Sequence, residues 1–293
     1  MNVALFGTGL LGRAVAERLQ TTGHAVTVYN RTREKAEPLR QAGITIADRP
    51  EDAVRMAECV ILLLADAPAI RRVLLSHRTR TESAGKTVIQ MGTIAPAESV
   101  ELQQEVCAAG GDYLEAPVLG SLAEAKAGTL LVMVGGTSDQ FTQWSGLFGS
   151  LSREPRLIGA VGQAAALKLA LNQLIAAEIA AFSLSVGLIQ RSGVPMNTFM
   201  AILRESALFA PAFEKKLPRL LTRDYANPNF STRHLLKDVD LCLREAMAAQ
   251  LDTSSLAAVK PLLQKTIKQG LGEMDYSAIY SVINPPERDE GKR

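Results

Sequence analysis

The sequence predicts an α/β protein in two domains. A doubly wound parallel-sheet domain spans residues 1–160, an all-helical domain spans 161–284, a long helix joins them, and a charged tail runs over 285–293. Three observations predict this. Short apolar runs alternate with amphipathic stretches through the first half, two of these runs are continuously apolar, and the strand signal stops near residue 160. A continuously apolar run is what a parallel strand covered on both faces requires.

Residues 2–6 form the first strand, a glycine-rich turn follows, and 11–21 form an amphipathic helix stopped at Gly23. Residues 25–29 make the second strand and 33–41 a second helix ending at Gly43. Further strands are expected at 44–47, 59–64 and 87–90, then at 113–117, 130–134 and 156–158. Helices are expected at 162–191, 195–205, 211–221, 232–250 and 254–269, with Gly193 and Gly270 at stops. The tail carries proline and charge and should fray.

Composition limits the function classes. Of 293 residues, 47% are hydrophobic and 21% charged, enough to bury cores without disulfides or metals. Lys plus Arg number 32 against 30 Asp plus Glu, a net charge of +2, which excludes a strong overall field for nucleic acid or an anionic membrane. Three scattered cysteines, Cys59, Cys107 and Cys242, suit a reducing, cytoplasmic setting and are expected to be structural, each in an apolar periodic segment, and three distant histidines argue against a metal centre. The N-terminus enters a strand at once, without the marks of a targeting segment. The apolar stretch 157–190 is interrupted by Lys168 and Glu178, so it is expected to be a helix buried in protein rather than a membrane span.

Gly7-Thr8-Gly9-Leu10-Leu11-Gly12 is G-x-G-x-x-G between a strand and a helix, the context of a dinucleotide site in a Rossmann-type domain. Its glycines permit a tight turn and close backbone approach, and the helix N-terminus attracts a pyrophosphate. The second strand ends in Asn30-Arg31-Thr32, where an NAD-selective site usually carries Asp or Glu. Asn30 brings no charge to repel a 2′-phosphate, Arg31 can pair with it and stack on adenine, and Thr32 and Arg33 add donors. NADP(H) is the cofactor expected. Thr93 follows a strand near the ligand-binding edge, on the nicotinamide or substrate side, or else serves as a cap or turn residue. Leu63 and Leu64 are expected to pack in the core, with possible cofactor contact.

Four motifs in order make the chain resemble the β-hydroxyacid dehydrogenase family. These are the glycine loop with Asn30-Arg31-Thr32, Glu115-Ala116-Pro117-Val118-Leu119-Gly120-Ser121 (similar to D-A-P-V-S-G-G), residues 162–172 (similar to G-x-G-x-x-x-K-x-x-x-N), and Lys237-Asp238. Leu119 replaces the family's serine and Ala164 a glycine. Within the family, the chain looks most like glyoxylate/succinic semialdehyde reductases.

The resemblance implies an NADP-dependent oxidoreductase acting on CH–OH groups, a small aldehyde-acid or hydroxy-acid substrate, and a homodimer or homotetramer built through the helical domain. It implies that Val118, Leu119, Gly120 and Ser121 hold the substrate carboxylate, backbone N–H groups of Gly120 and Ser121 included. It implies that Lys237 lies near the cofactor, and that Phe230 and Asp238 close over nicotinamide and substrate. Lys168, expected mid-helix in apolar surroundings that lower its pKa, is the expected proton donor, with Asn172 one turn on bonding the lysine or the substrate. Alternative readings are a surface-snorkelling Lys168, a core Phe230, and His234 as a rival acid or a plain surface histidine. At the level of function, the alternatives are a 3-hydroxyisobutyrate-type dehydrogenase and an NADP-binding interaction scaffold.

Overall fold

A computed structural model describes residues 1–286, so residues 287–293 of the expected tail lie outside the described residues. The chain divides into two compact units, Met1–Leu169 and a second beginning at Ala170.

The first unit contains β1 (Asn2–Phe6), α1 (Leu10–Thr21), β2 (Ala25–Tyr29), β3 (Thr45–Ile46), α2 (Pro50–Arg55), β4 (Cys59–Leu62), α3 (Ala67–Leu74) and α4 (His77–Glu82). It continues through β5 (Thr87–Gln90), α5 (Pro96–Ala108), β6 (Asp112–Glu115), β7 (Val118–Leu119), α6 (Leu122–Ala127) and β8 (Leu131–Gly135). It closes with α7 (Ser138–Gln143), α8 (Ser145–Leu151), β9 (Arg156–Gly159) and the head of α9 (Gln163–Arg191).

Strand order is β3-β2-β1-β4-β5-β6-β8-β7, with β9 beside β8. β3 through β6 run parallel, whereas β8 is antiparallel to β6 and β7. The chain winds outward from β1 to β3 and then returns to β4 on the other side of β1. That reversal makes a crevice at the carboxyl ends of β1 and β4, where open α/β sheets bind ligands. Alternate side chains fill opposite layers. Leu5, Ile61, Ile89 and Leu114 enter one core, and Phe6, Leu62, Val88 and Tyr113 enter the other. Burial on both faces explains the unbroken apolar runs of the central strands.

Four local readings need correction. Residues 33–41 form two short 3₁₀ turns, Arg33–Lys35 and Glu37–Ala42, because Pro38 lacks the N–H that would continue an α-helix. The strand expected at 59–64 ends at Leu62, so Leu63 and Leu64 lie beyond its end, half-buried but still packed against the two cores. Val118–Leu119 is a short strand paired with Leu131 and Val132, not simply a loop. Cys107, expected in an apolar structural setting, is exposed.

The second unit holds the rest of α9, then α10 (Met196–Glu205), α11 (Pro211–Thr222), α12 (Thr232–Ala248), α13 (Ser254–Thr266) and α14 (Tyr280–Ile283). Ala176, Ile179, Phe182 and Val186 recur at helical spacing on α9, in one core with Leu235, Val239 and Leu243 of α12 and Leu256, Val259 and Leu263 of α13. Phe182 stacks on Phe213 with ring centroids 4.4 Å apart. Lys216 of α11 reaches both oxygens of buried Asp275 at 2.8 Å, and its ammonium lies 4.1 Å from the Tyr276 ring centre.

The apolar helix departs from expectation. α9 is long and apolar enough to cross a membrane by length and composition, as core helices of soluble proteins also are. It is not wholly buried: Leu174, Leu184 and Leu188 are 48%, 64% and 63% exposed.

Candidate active site

The glycine loop sits at the sheet's reversal point. Gly7 has φ +99°, its N–H donates to Tyr29 O at 3.0 Å, and a Cβ there would strike the Leu63 backbone and approach Leu64. A Cβ on Gly12 would collide with the Gly7 carbonyl, so the loop and α1 are in direct backbone contact. Gly9 is different. It is the N-cap of α1 without side-chain capping, and a Cβ there would meet nothing within 4 Å.

The loop therefore has a closed side against protein and an open side bearing the helix's unpaired N–H groups. Thr8 Oγ1 is buried with no hydrogen-bond partner among the described residues. An open helix N-terminus beside an unused buried hydroxyl fits a dinucleotide pyrophosphate. Leu10 is exposed and Leu11 half-buried at the helix start.

Asn30 holds this loop in place. Its Oδ1 accepts from the Thr8 N–H at 3.1 Å and its Nδ2 donates to Thr32 O at 2.7 Å. Asn30, uncharged beside the site expected for a 2′-phosphate, thus braces the loop itself. Arg33 is also engaged, with Glu37 at 2.9 Å and with Asp48. Arg31 and Thr32 are exposed at the strand end. Thr93 lies half-buried past β5, following Gly92, whose N–H bonds Leu62 O at 3.1 Å. Gly7, Leu63, Leu64 and Gly92 are accordingly gathered at one edge of the sheet.

The 118–121 segment is more occupied than its motif suggests. Val118 is core, and Leu119 is half-buried in β7. Gly120 needs to be glycine, since its φ is +143° and a Cβ would lie 2.7 Å from Leu130 Cδ2. Ser121 caps α6: its N–H donates to Glu124 Oε2 at 2.8 Å, and its hydroxyl also bonds Glu124. The Ser121 N–H expected to hold a carboxylate is therefore already committed to the capping box.

Sequence reasoning missed Glu115 as an individual residue. Its carboxylate accepts N–H bonds from Gly162 and Ala165, both at 2.9 Å, and the Ser99 hydroxyl at 2.5 Å. Burial raises its pKa, and these donors partly offset the rise. Its motif position was visible, but partners 47 and 50 residues away were not.

Lys168 lies in the second turn of α9, nearer its start than the mid-helix position expected, and only 8% exposed. The long helix carries Asn172 one turn further on. Within the second unit, Asn172 Nδ2 donates to Asp238 Oδ2 at 2.7 Å, and Lys237 pairs with Asp238 at 2.8 Å. One of the two Asn172 amide hydrogens is thus held by Asp238. Asn172 Oδ1 remains buried without a hydrogen-bond partner among the described residues.

Phe230 is half-buried against Tyr276, with ring centroids 5.9 Å apart, so part of its ring is core. Although His234 is exposed as a residue, protein around its ring, and then the charge of Lys237, lowers its pKa. Its Nδ1 also bonds the Ser231 hydroxyl at 2.7 Å. A ring that is neutral near pH 7 is a poor rival proton donor. No cluster of metal-ligating residues occurs among the described residues.

Residues 2–162 match the model described as the NAD binding domain of 6-phosphogluconate dehydrogenase. Residues 162–283 match that described as NAD-binding of NADP-dependent 3-hydroxyisobutyrate dehydrogenase. Glyoxylate/succinic semialdehyde reductase 1 of Arabidopsis thaliana is 29% identical over 285 residues, covering 97% of this chain and 98% of that protein. The cytokine-like nuclear factor N-PAC of Drosophila melanogaster is 26% identical over 279 residues, 94% of this chain but 46% of that protein. A 3-hydroxyisobutyrate dehydrogenase structure from Salmonella typhimurium shares the fold with TM-score 0.86 at 21% identity, covering 96% of this chain and 99% of that one.

Proposed function

From a chain that belongs to the β-hydroxyacid dehydrogenase family, and is thereby an NAD(P)-dependent oxidoreductase acting on hydroxyl groups, we propose an NADPH-dependent reductase of small aldehyde acids, glyoxylate or succinic semialdehyde. The observation that carries the reaction is Lys168, a buried cation one turn before Asn172 on a single helix. The observation that supports NADPH is exposed Arg31 just past β2, flanked in sequence by Asn30 and Thr32 where an NAD-selective site usually carries Asp or Glu.

NADPH, when bound, supplies hydride to the aldehyde carbon. Lys168 donates a proton to the carbonyl oxygen as charge gathers there, so the product is the hydroxy acid. Asp238 holds the Asn172 amide in one orientation, with Oδ1 turned away from the carboxylate as an acceptor. Val118 and Leu119 shape the floor from which Gly120 presents backbone to the substrate carboxylate. Leu63, Leu64 and Thr93 line the cofactor side. The exposed leucines of α9 support self-association as a homodimer or homotetramer.

The test follows NADPH oxidation with glyoxylate and succinic semialdehyde in parallel, with NADH as control. Turnover with either aldehyde, at least about tenfold more efficient with NADPH, is expected. Lys168→Ala should lower kcat by about a hundredfold or more in folded protein, and unchanged turnover would remove Lys168 from the role. The family match at 162–283 favours one second reading, oxidation of a 3-hydroxyisobutyrate-type acid. Activity confined to that substrate would replace the aldehyde-acid assignment.

A further inference from the structure

Glu115 is 1% exposed at the end of β6, and no step of the proposed reaction uses it. A carboxylate so deeply buried is costly unless its oxygens are satisfied. Here the partners come from separated elements. Oε1 takes the N–H groups of Gly162 and Ala165, at the head of α9. Oε2 takes the hydroxyl of Ser99, which is fully buried in α5.

Since Ser99 spends its hydrogen on Glu115, the Tyr113 hydroxyl 2.9 Å away is the donor in its bond to Ser99. β8 leaves room for the side chain. A Cβ on Gly135 would lie 2.5 Å from Glu115 Oε1 and 2.7 Å from Cγ. Gly162 adopts φ +98°, a conformation that favours glycine and turns its N–H towards the carboxylate. Negative charge at this end of the helix also meets the positive end of its dipole.

Two segments of the proposed reaction diverge from this point. The chain after Glu115 runs straight into Ala116-Pro117 and the 118–121 segment, anchored by Ala116 N–H to Gln90 O at 2.7 Å and Met133 N–H to Pro117 O at 3.0 Å. The helix held by its carboxylate carries Lys168 three residues beyond Ala165. We infer that Glu115 is a positioning residue, which fixes the first turn of α9 to the strand end from which the substrate segment departs and so sets where Lys168 delivers its proton. This rests on Lys168 being the proton donor.

Glu115→Ala leaves three buried donors unsatisfied, the Gly162 and Ala165 N–H groups and the Ser99 hydroxyl. Glu115→Gln keeps one oxygen for the two N–H groups and gives its amide hydrogen to Ser99 Oγ, so it preserves the mooring without the charge. Ser99→Ala removes one donor only. Three quantities are read on each: amide hydrogen exchange across residues 160–168 in cofactor-free protein, the NADPH dissociation constant, and kcat.

Glu115→Ala should raise exchange at the helix head about tenfold and lower kcat about tenfold or more, with NADPH affinity within about twofold. Glu115→Gln should restore both quantities to within about threefold of the parent, and Ser99→Ala should fall between them. The idea is overturned if folded Glu115→Ala shows unchanged exchange and kcat. It is equally overturned if the kcat loss matches a loss of NADPH affinity and Glu115→Gln does not restore it. Should Glu115→Ala not fold, Ser99→Ala decides, since unchanged exchange and kcat there sink the proposal. Exchange needs neither substrate nor Lys168. If Lys168→Ala retains turnover, the proton-donor reading fails on its own while the exchange result still judges the mooring.

Discussion

At the residue scale, the two later glycines of the loop separate folding from binding. Gly12→Ala drives a methyl into the Gly7 carbonyl and should cost about 1–3 kcal/mol in denaturant unfolding. Gly9→Ala meets no protein atom and should leave stability within about 0.5 kcal/mol. Its methyl stands on the loop's open side, so NADPH titration should show affinity lowered about tenfold or more. Arg31→Ala should raise KM for NADPH about tenfold and leave KM for NADH nearly unchanged, measured in parallel assays. Residue types at the site were readable from the motifs, but the direction of each polar group was not. Asn30, Ser121 and Asn172 each give polar groups to neighbours in the chain, and those neighbours are known only once the strand end, the α6 cap and α12 have been placed.

At the element scale, the Lys216–Asp275 pair ties α11 to the turn that leads into Tyr276. Burial lowers the Lys216 pKa, and Asp275 opposes that shift. Lys216→Met strands a carboxylate with no exposure and should destabilise the protein by about 3–5 kcal/mol. Adding Asp275→Asn should recover part of that loss, as read by denaturant midpoints. The central strands were legible because burial on both faces demands unbroken apolar runs. The 33–41 segment looked helical by polarity alone, and Pro38 overruled the pattern. The β7 pairing covers two residues, too few to leave a period in sequence. Glu115 was visible only as a motif letter, because its significance comes from α5 and the head of α9.

At the scale of the whole molecule, acid should loosen the fold. His24 and His234 have pKa values lowered from 6.5, chiefly by burial. Below pH 6.5 the unfolded chain takes up these protons first, so stability present above 6.5 is lost as pH falls through the lowered values. Unfolding midpoints at pH 7.5 and 5.5 should show the drop, and His24→Gln with His234→Gln should shrink it. Glu115 has the opposite sign. Its raised pKa contributes stability below its ordinary 4.5 that is lost as pH rises through the raised value. The leucines of α9 act at the same scale. Light scattering should find a dimer or larger species, and Leu184→Glu with Leu188→Glu should give monomer. An apolar face completed by another copy makes durability a collective property through mass action. Dilution alone would then soften the protein, its melting temperature climbing with concentration, whereas the doubly charged variant would melt at one temperature however crowded its solution.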